Sequence, residues 1–488
     1  MIWLNSLRSY QGQIWTTALY LFIVSPCNLE GQSQNGLRYE DLEFDPLTFD
    51  QPSSTVHRIL GEVDVLFLED NSLPLVSLFA RFRGGTSYFA REERGAVTAV
   101  PMLLRSGGTV ELTPDSIDSL LEHYAINLSF GRDGRTSFSS LNTLTDYLEE
   151  SLQLWEDLLT RPRFSSEMVQ VWRNQELDYL RRSENDPNTI AVRTFNRLMY
   201  GEHPTGWSLL PEDLEIEDLE LEKLRRIHKK IFCRENLTLG VTGNIKWSFI
   251  FPQIRKLVES VPSCEDDFEN VSRAPVSADP GIYIVPNDLP QATIIIGKHS
   301  EIRLDNTPEY FASQIGNLIL GGSGLNSRLS KRIRTEQGLS YSTSSIWTTP
   351  TEPPGVLAVI TQTKAENTAT VINMISDVLQ EMSDQQPNSK EVQNAIDEIS
   401  NGFVFNFQNP EQVVSRQMFY LAQNLPLNWL STYLEGIQQV SAENIRTTLN
   451  KTVDQEGFEG MVTVIVGDST KFKSELEHLG ITSTIQPR

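Results

Sequence analysis

The chain has 488 residues, 39% of them hydrophobic, which is more than one packed core organises and predicts at least two domains. A formal net charge of −23 and a pI near 4.8 leave no basic stripe for a phosphate backbone, so nucleic acid is excluded as the partner. Such a surface would attract basic peptides, although a solvated, soluble face is the plainer reading.

At the start, Arg8 and the apolar run IWTTALYLFIV (14–24) read as an export signal whose apolar core is too short to span a bilayer. Residues 1–27 are expected to be this signal and 28–54 an N-terminal extension. The stretch VSPC at 24–27 weakly resembles a lipoprotein box, with an unfavourable proline before the cysteine, so a lipid on Cys27 is the one membrane attachment the sequence admits. No later segment is apolar enough to cross a membrane. Outside the cytoplasm Cys233 and Cys264 are free to form a disulfide, and two unpaired buried cysteines fit the sequence equally well.

VSLFARFRGG (76–85) is a strand ending in two glycines, and a polar turn leads from it into GAVTAVPMLLRSGGT (95–109). A glycine, about three turns of apolar residues and a closing Gly107-Gly108 make the pattern of a short buried helix, with Pro101 inside it. No side chain in its apolar run can carry a proton, bind a metal or attack a carbonyl. Next come the strand INLSF, the helix TDYLEESLQLWEDLLTRP with core-spaced leucines, and the helix RFSSEMVQVWRNQELDYLRR. The acidic run PEDLEIEDLELEKL reads as the solvated N-terminal region of a helix, before the strand NLTLGVTGN.

A polar, proline-containing joint, SCEDDFENVSRAPVSADPG (263–281), separates this series from a second with the same order. ATIIIGKHSEIRL, PEYFASQIGNLILGG, VLAVITQTK, ENTATVINMISDVLQEM, NSKEVQNAIDEISNGFV and MVTVIVGDS repeat strand, helix, strand, two helices and closing strand. The repeat predicts an α+β fold of two homologous halves, 55–265 and 283–488, each an antiparallel sheet packed with helices, joined by a linker at 266–282. QTK (362–364), at the end of its strand, is a candidate edge for pairing with an extended peptide.

RRSENDP (181–187), LMYGEHPTGW (198–207), NLTLGVTGNI (236–245), LPQATIIIG (289–297), LILGGSGLNSRLSKRIRTEQGLSYSTSS (318–345) and NLPLNWLSTYLEGIQQVSAENI (424–445) together resemble the pitrilysin/insulinase family of zinc metallopeptidases, the inverzincins, over about residues 55–475. Alone, GGSG would be only a helix-end turn, without the Lys-Ser/Thr of a phosphate loop. The resemblance implies two such halves, and it places Thr98, Pro101 and Met102 where active members carry the first His, the catalytic Glu and the second His of H-x-x-E-H. Two imidazoles four apart on one helix face hold zinc, and the carboxylate between them takes a proton from the metal-bound water. Ungapped counting lands on Tyr179 for the third ligand, a Glu in the family, with Glu176 and Asp178 close by. No metal is therefore expected in this chain. LLEH at 120–123 copies the motif's tail, but Ser119 stands where its first His would be, leaving too few ligands. His57, His203, His228, His299 and His478 form no helical pair, and His203 in EHPTGW reads as structural.

IRTEQGLSY carries Arg334 and Tyr341, similar to the pair that the family's C-terminal half brings over the zinc site. There the phenol and the guanidinium donate hydrogen bonds to the substrate carbonyl or the developing oxyanion. Without the resemblance the two would read as a tyrosine in a half-buried strand and an arginine at a solvated helix end. Similarity to the bacterial two-chain branch implies an exported, periplasmic, zinc-free subunit, a lipoprotein if Cys27 is acylated. It would pair with an H-x-x-E-H subunit that holds the zinc, and the two would enclose a peptide substrate. The alternative is a catalytically inactive member that binds peptides or serves an assembly, and a weaker third is a peptidase acting alone through an unrecognised metal site.

Overall fold

The computed structural model describes residues 52–274, 279–352, 354–453, 457–476 and 479–486. The expected signal, Cys27, most of the extension and His478 lie outside them. The described residues belong to one compact unit, and no described helix is long and apolar enough to cross a membrane.

Strands β1 (Thr55–Ile59), β2 (Val63–Glu69), β3 (Leu75–Arg83), β4 (Asn127–Arg132), β5 (Thr136–Leu144) and β6 (Leu237–Gly243) form one sheet in the order β1-β2-β6-β3-β5-β4. Strands β7 (Gly281–Pro286), β8 (Gln291–Ser300), β9 (Thr343–Trp347), β10 (Gly355–Lys364), β11 (Val462–Gly467) and β12 (Thr482–Thr484) form the other in the order β12-β7-β11-β8-β10-β9. The inner five positions of each sheet correspond, which is the repeat read from the sequence. Only the outermost strand differs: β1 enters antiparallel to β2, whereas β12 comes from the end of the chain and runs parallel to β7.

The antiparallel sheets expected from the sequence prove to be mixed. β6 runs parallel to β2 and β11 parallel to β7, because the closing strand of each half returns through helices and no tight hairpin dictates its direction. β10 lies between β8 and β9, but β9 pairs with it only over Leu357–Thr361, so Gln362–Lys364 pair with β8 alone and have no described strand on their other side. The edges belong to β1 and β4, and to β9 and β12.

The first half's helices are α1 (Arg94–Ser106), α2 (Pro114–His123), α3 (Leu148–Thr160), α4 (Ser166–Ser183), α5 (Pro187–Tyr200), α6 (Leu221–Ile231) and α7 (Trp247–Ser260). The second half's include α8 (Pro308–Asn317), α9 (Thr368–Asp384), α10 (Ser389–Gly402), α11 (Pro410–Ala422), α12 (Trp429–Gln438) and α13 (Ala442–Val453). Most cover one face of their own sheet, but α5 and α11 cross over. Asp186 caps α5 by accepting from the amides of Asn188 and Thr189, with Pro187 at its first position. Ile190, Ala191, Phe195 and Met199 then pack on Val462, Val464 and Val466 of β11 in the second half. Reciprocally, Val414 and Met418 of α11 pack on Leu66 of β2 in the first half.

This exchange explains two sequence features. β11 is buried throughout, Ile465 facing its own half's helices while the alternating valines face α5, so it reads as an unbroken apolar run. Glycine lies in a strand under each visiting helix: a Cβ on Gly240 would stand 2.5 Å from the Met418 sulfur, and one on Gly297 2.7 Å from the Phe195 ring. Cys233 and Cys264 are joined in a disulfide that ties the end of α6 to the segment after α7.

Candidate functional site

The helix expected to hold the degenerate motif is α1. Its opening Gly95 is required because a Cβ there would collide with the carbonyl oxygen of Asp213. Thr98 is buried and its hydroxyl donates to the Arg94 carbonyl at 2.7 Å. Pro101 is buried inside the helix, and Met102 is 44% exposed. Tyr179, on the neighbouring α4, is 57% exposed. A bonded hydroxyl, a pyrrolidine, a thioether and a phenol offer zinc neither an imidazole nor a carboxylate.

Around the start of α1 the charge is positive. Arg91 pairs with Asp213 at 2.9 Å and lies over the Trp207 ring at 5.7 Å, and Arg94 donates to the Trp207 carbonyl. Burial, then the neighbouring charges of Arg132 and Arg91, holds Arg94 down to about 10. Burial also lowers Arg132 on edge strand β4, where Glu176 partly compensates, and the same burial raises Glu176 against the pull of Arg132. Nε and Nη1 of Arg94 and Nε of Arg132 are buried with no hydrogen-bond partner among the described residues. Two desolvated guanidiniums repel a divalent cation, and of the two carboxylates beside the expected third-ligand position, Glu176 answers Arg132 and Asp178 pairs with Arg181 at 3.2 Å. Zinc does not fit this site.

The acidic run before α6 is solvated as expected at every carboxylate but Asp213, and it is not yet helix. It folds into two short turns that bury Asp213, Leu214 and Leu219, and the helix begins only at Leu221. Asp213 accepts from the Leu210 amide at 2.7 Å while pairing with Arg91. Nothing in the local pattern marked Asp213 as buried, since its partner lies more than a hundred residues earlier.

Elsewhere among the described residues, the only grouping of metal-ligand types is Cys233, Glu235 and Cys264, and the disulfide removes both thiolates. Glu122 and His123 of LLEH are exposed at the end of α2. His203 approaches the Ser272 carbonyl at 2.7 Å and accepts from the Thr205 amide. His299 lies 2.6 Å from the Met199 carbonyl, and His57 stacks on Trp247 at 3.8 Å.

Arg334 and Tyr341 are brought together by a glycine turn. A π-helical segment, Ser330–Glu336, carries Arg334 and ends at Gly338 with φ +64°. The Gly338 amide donates to the Arg334 carbonyl and the Leu339 amide to that of Ile333, each at 3.0 Å, so the chain reverses through a conformation that favours glycine. Ser340 and Thr343 hold the returning segment to Thr361 of β10. Tyr341 precedes β9 and is 83% exposed, unlike a tyrosine in a half-buried strand. The Arg334 guanidinium lies over its ring, 4.7 Å from the centroid. Arg328 and Arg332 in the same stretch pair with Glu391 and Glu381, whereas among the described residues no carboxylate pairs with Arg334. Stacking leaves the in-plane N–H donors and the phenol hydroxyl free for an external acceptor. No hydrogen bond or ion pair between described residues links Arg334 or Tyr341 to the α1 positions.

Residues 218–399 match the family described as peptidase M16 inactive domain. The non-peptidase homolog YmxG of Helicobacter pylori is 24% identical over 406 residues, 81% of this chain and 90% of that protein. The fold matches the crystal structure of a peptidase M16 inactive domain from Pseudomonas fluorescens with a TM-score of 0.76 and 22% identity, over 85% of this chain and 98% of that one. It also matches the periplasmic protease PqqL of Escherichia coli with a TM-score of 0.71 and 13% identity, over 89% of this chain and 49% of that one.

Proposed function

Because this chain is a pitrilysin/insulinase-type (peptidase M16) protein without the H-x-x-E-H motif, we propose that it acts as the zinc-free subunit of a two-chain peptidase. A partner with H-x-x-E-H supplies the metal and the general base. This chain supplies Arg334 and Tyr341, whose guanidinium and phenol donate to the substrate carbonyl as it becomes an oxyanion. Work outside the cytoplasm belongs to the same reading, supported by the N-terminal sequence and by the fold shared with the periplasmic protease PqqL.

One observation carries the reading: among the described residues the arginine stacked on Tyr341 has no carboxylate partner, and the tyrosine is almost fully exposed. It is the cation, stacked on the ring with its in-plane donors unused by any described side chain, that favours an external acceptor. In the purified pair, Tyr341→Phe should lower peptide hydrolysis by about one to three orders of magnitude with assembly intact. Unchanged turnover would remove the pair from catalysis. The second reading, a binding or assembly protein, is favoured by the similarity to YmxG, a non-peptidase homolog. Purification of the protein at native level, with the complex weighed by native mass spectrometry, separates the two. A stoichiometric H-x-x-E-H partner with one zinc supports the peptidase, and a metal-free homodimer or unrelated assembly supports the other.

A further inference from the structure

A cavity of about 490 Å³ lies in the second half between α8, α10, α11 and α12, within the size range of small-molecule sites. Its walls are aromatic. Tyr310, Trp429 and Tyr420 are each at most 7% exposed, and Tyr433 stands 6.1 Å from Tyr310 ring to ring. The cavity's polar end contains Arg416, which donates to the Asn406 side chain at 2.7 Å and hydrogen-bonds the Tyr420 phenol.

Two features are not accounted for by packing. Among the described residues no carboxylate pairs with Arg416; Glu398, which also lines the cavity, is bonded by the Ser323 hydroxyl. Burial, and after it the neighbouring phenols, pushes Tyr433 up to about 12 and Tyr310 beyond that, and burial raises Tyr420 against the pull of Arg416, so all three remain hydroxyl donors at neutral pH. No protein acceptor is recorded for the hydroxyls of Tyr310 or Tyr433 among the described residues. A guanidinium with a cluster of phenolic donors complements a carboxylate, and the indole and phenyl walls complement an apolar body.

We propose that this cavity binds an amphipathic carboxylate, its head at Arg416 and the tyrosine hydroxyls and its apolar part against Trp429 and Phe403. The site is separate from Arg334 and Tyr341 and does not depend on the peptidase reading. One wall is α11, whose opposite face, Val414 and Met418, holds the first half's sheet.

The test is calorimetric titration of the full chain with decanoate, decanol and decyltrimethylammonium below their micelle concentrations. Decanoate should bind one to one and at least about tenfold more tightly than decanol, and Arg416→Gln should remove that preference. Gly402 lines the cavity with open space beyond its Cα, so Gly402→Leu should fill it and abolish binding while leaving the melting temperature unchanged. Equal binding of the acid and the alcohol, preference for the cation, no binding at all, or binding that survives Gly402→Leu in a folded variant would each overturn the proposal.

Discussion

Arg94 and Arg132 change what restoring the missing ligands would achieve. Thr98→His with Pro101→Glu and Met102→His would set two imidazoles four apart on α1, yet Tyr179 would still stand in for the third ligand and two guanidiniums would still oppose a cation. The triple variant should therefore carry zinc well below one ion per chain by elemental analysis after dialysis. Stoichiometric zinc would show that the arginines do not govern the site. His228 gives a second prediction at this scale. Burial, resisted by its hydrogen bond to the Leu159 carbonyl, lowers it from 6.5 to about 4. The unfolded chain therefore takes up the proton first: the contribution to stability is whole above pH 6.5 and is lost as pH falls from there toward 4. His228→Gln should flatten the melting temperature against pH across that window, and an unchanged slope would mean that other groups set it. The lost histidines of α1 were legible because a fixed motif was absent from a fixed spacing. The arginine cluster was not, because it exists only once the edge strand β4 and the Asp213 turn are folded against the start of α1.

At the scale of elements, the repeat of strand, helix and paired helices was readable because each half must hide the same periodic apolar faces. The direction of β6 and β11 was not, since a strand that returns after a long helical connection carries no turn signal for its register. The interior position of β10 was hidden for a related reason: a strand's own residues do not say which neighbour covers its side. The disulfide decides between the two states that the sequence left equally open, a bridge and a pair of free thiols. It closes a loop of 31 residues, and the entropy it removes from the unfolded chain corresponds to about 3 to 4 kcal/mol. Cys233→Ala with Cys264→Ala should lower unfolding free energy by about that amount in denaturant titration. Reducing agent should leave this double variant unaffected while destabilising the parent; an equal response of both would place the effect elsewhere.

In the whole molecule the two halves are held by exchanged helices, and the two glycines beneath those helices differ in tolerance. A Cβ at Gly240 meets the Met418 sulfur at 2.5 Å and the Val414 Cγ1 at 2.6 Å, both side chains of α11, but at Gly297 it meets the Leu357 carbonyl and the Ala358 Cβ, each 2.8 Å away, as well as Phe195. Gly297→Ala should therefore cost about 2 to 3 kcal/mol in unfolding free energy, more than Gly240→Ala, whose close neighbours are side chains that a small shift of α11 can move away. Reversal of that order would mean that α5 yields more readily than α11. The exchange also bears on how the protein can be taken apart. A chain severed between Ala274 and Asp279 would leave two pieces that each still grip the other's sheet, so the break should pass unnoticed in solution until denaturant is added. Either piece made alone would expose the apolar strand face that its absent helix was built to cover, and would be the insoluble one of an otherwise soluble pair.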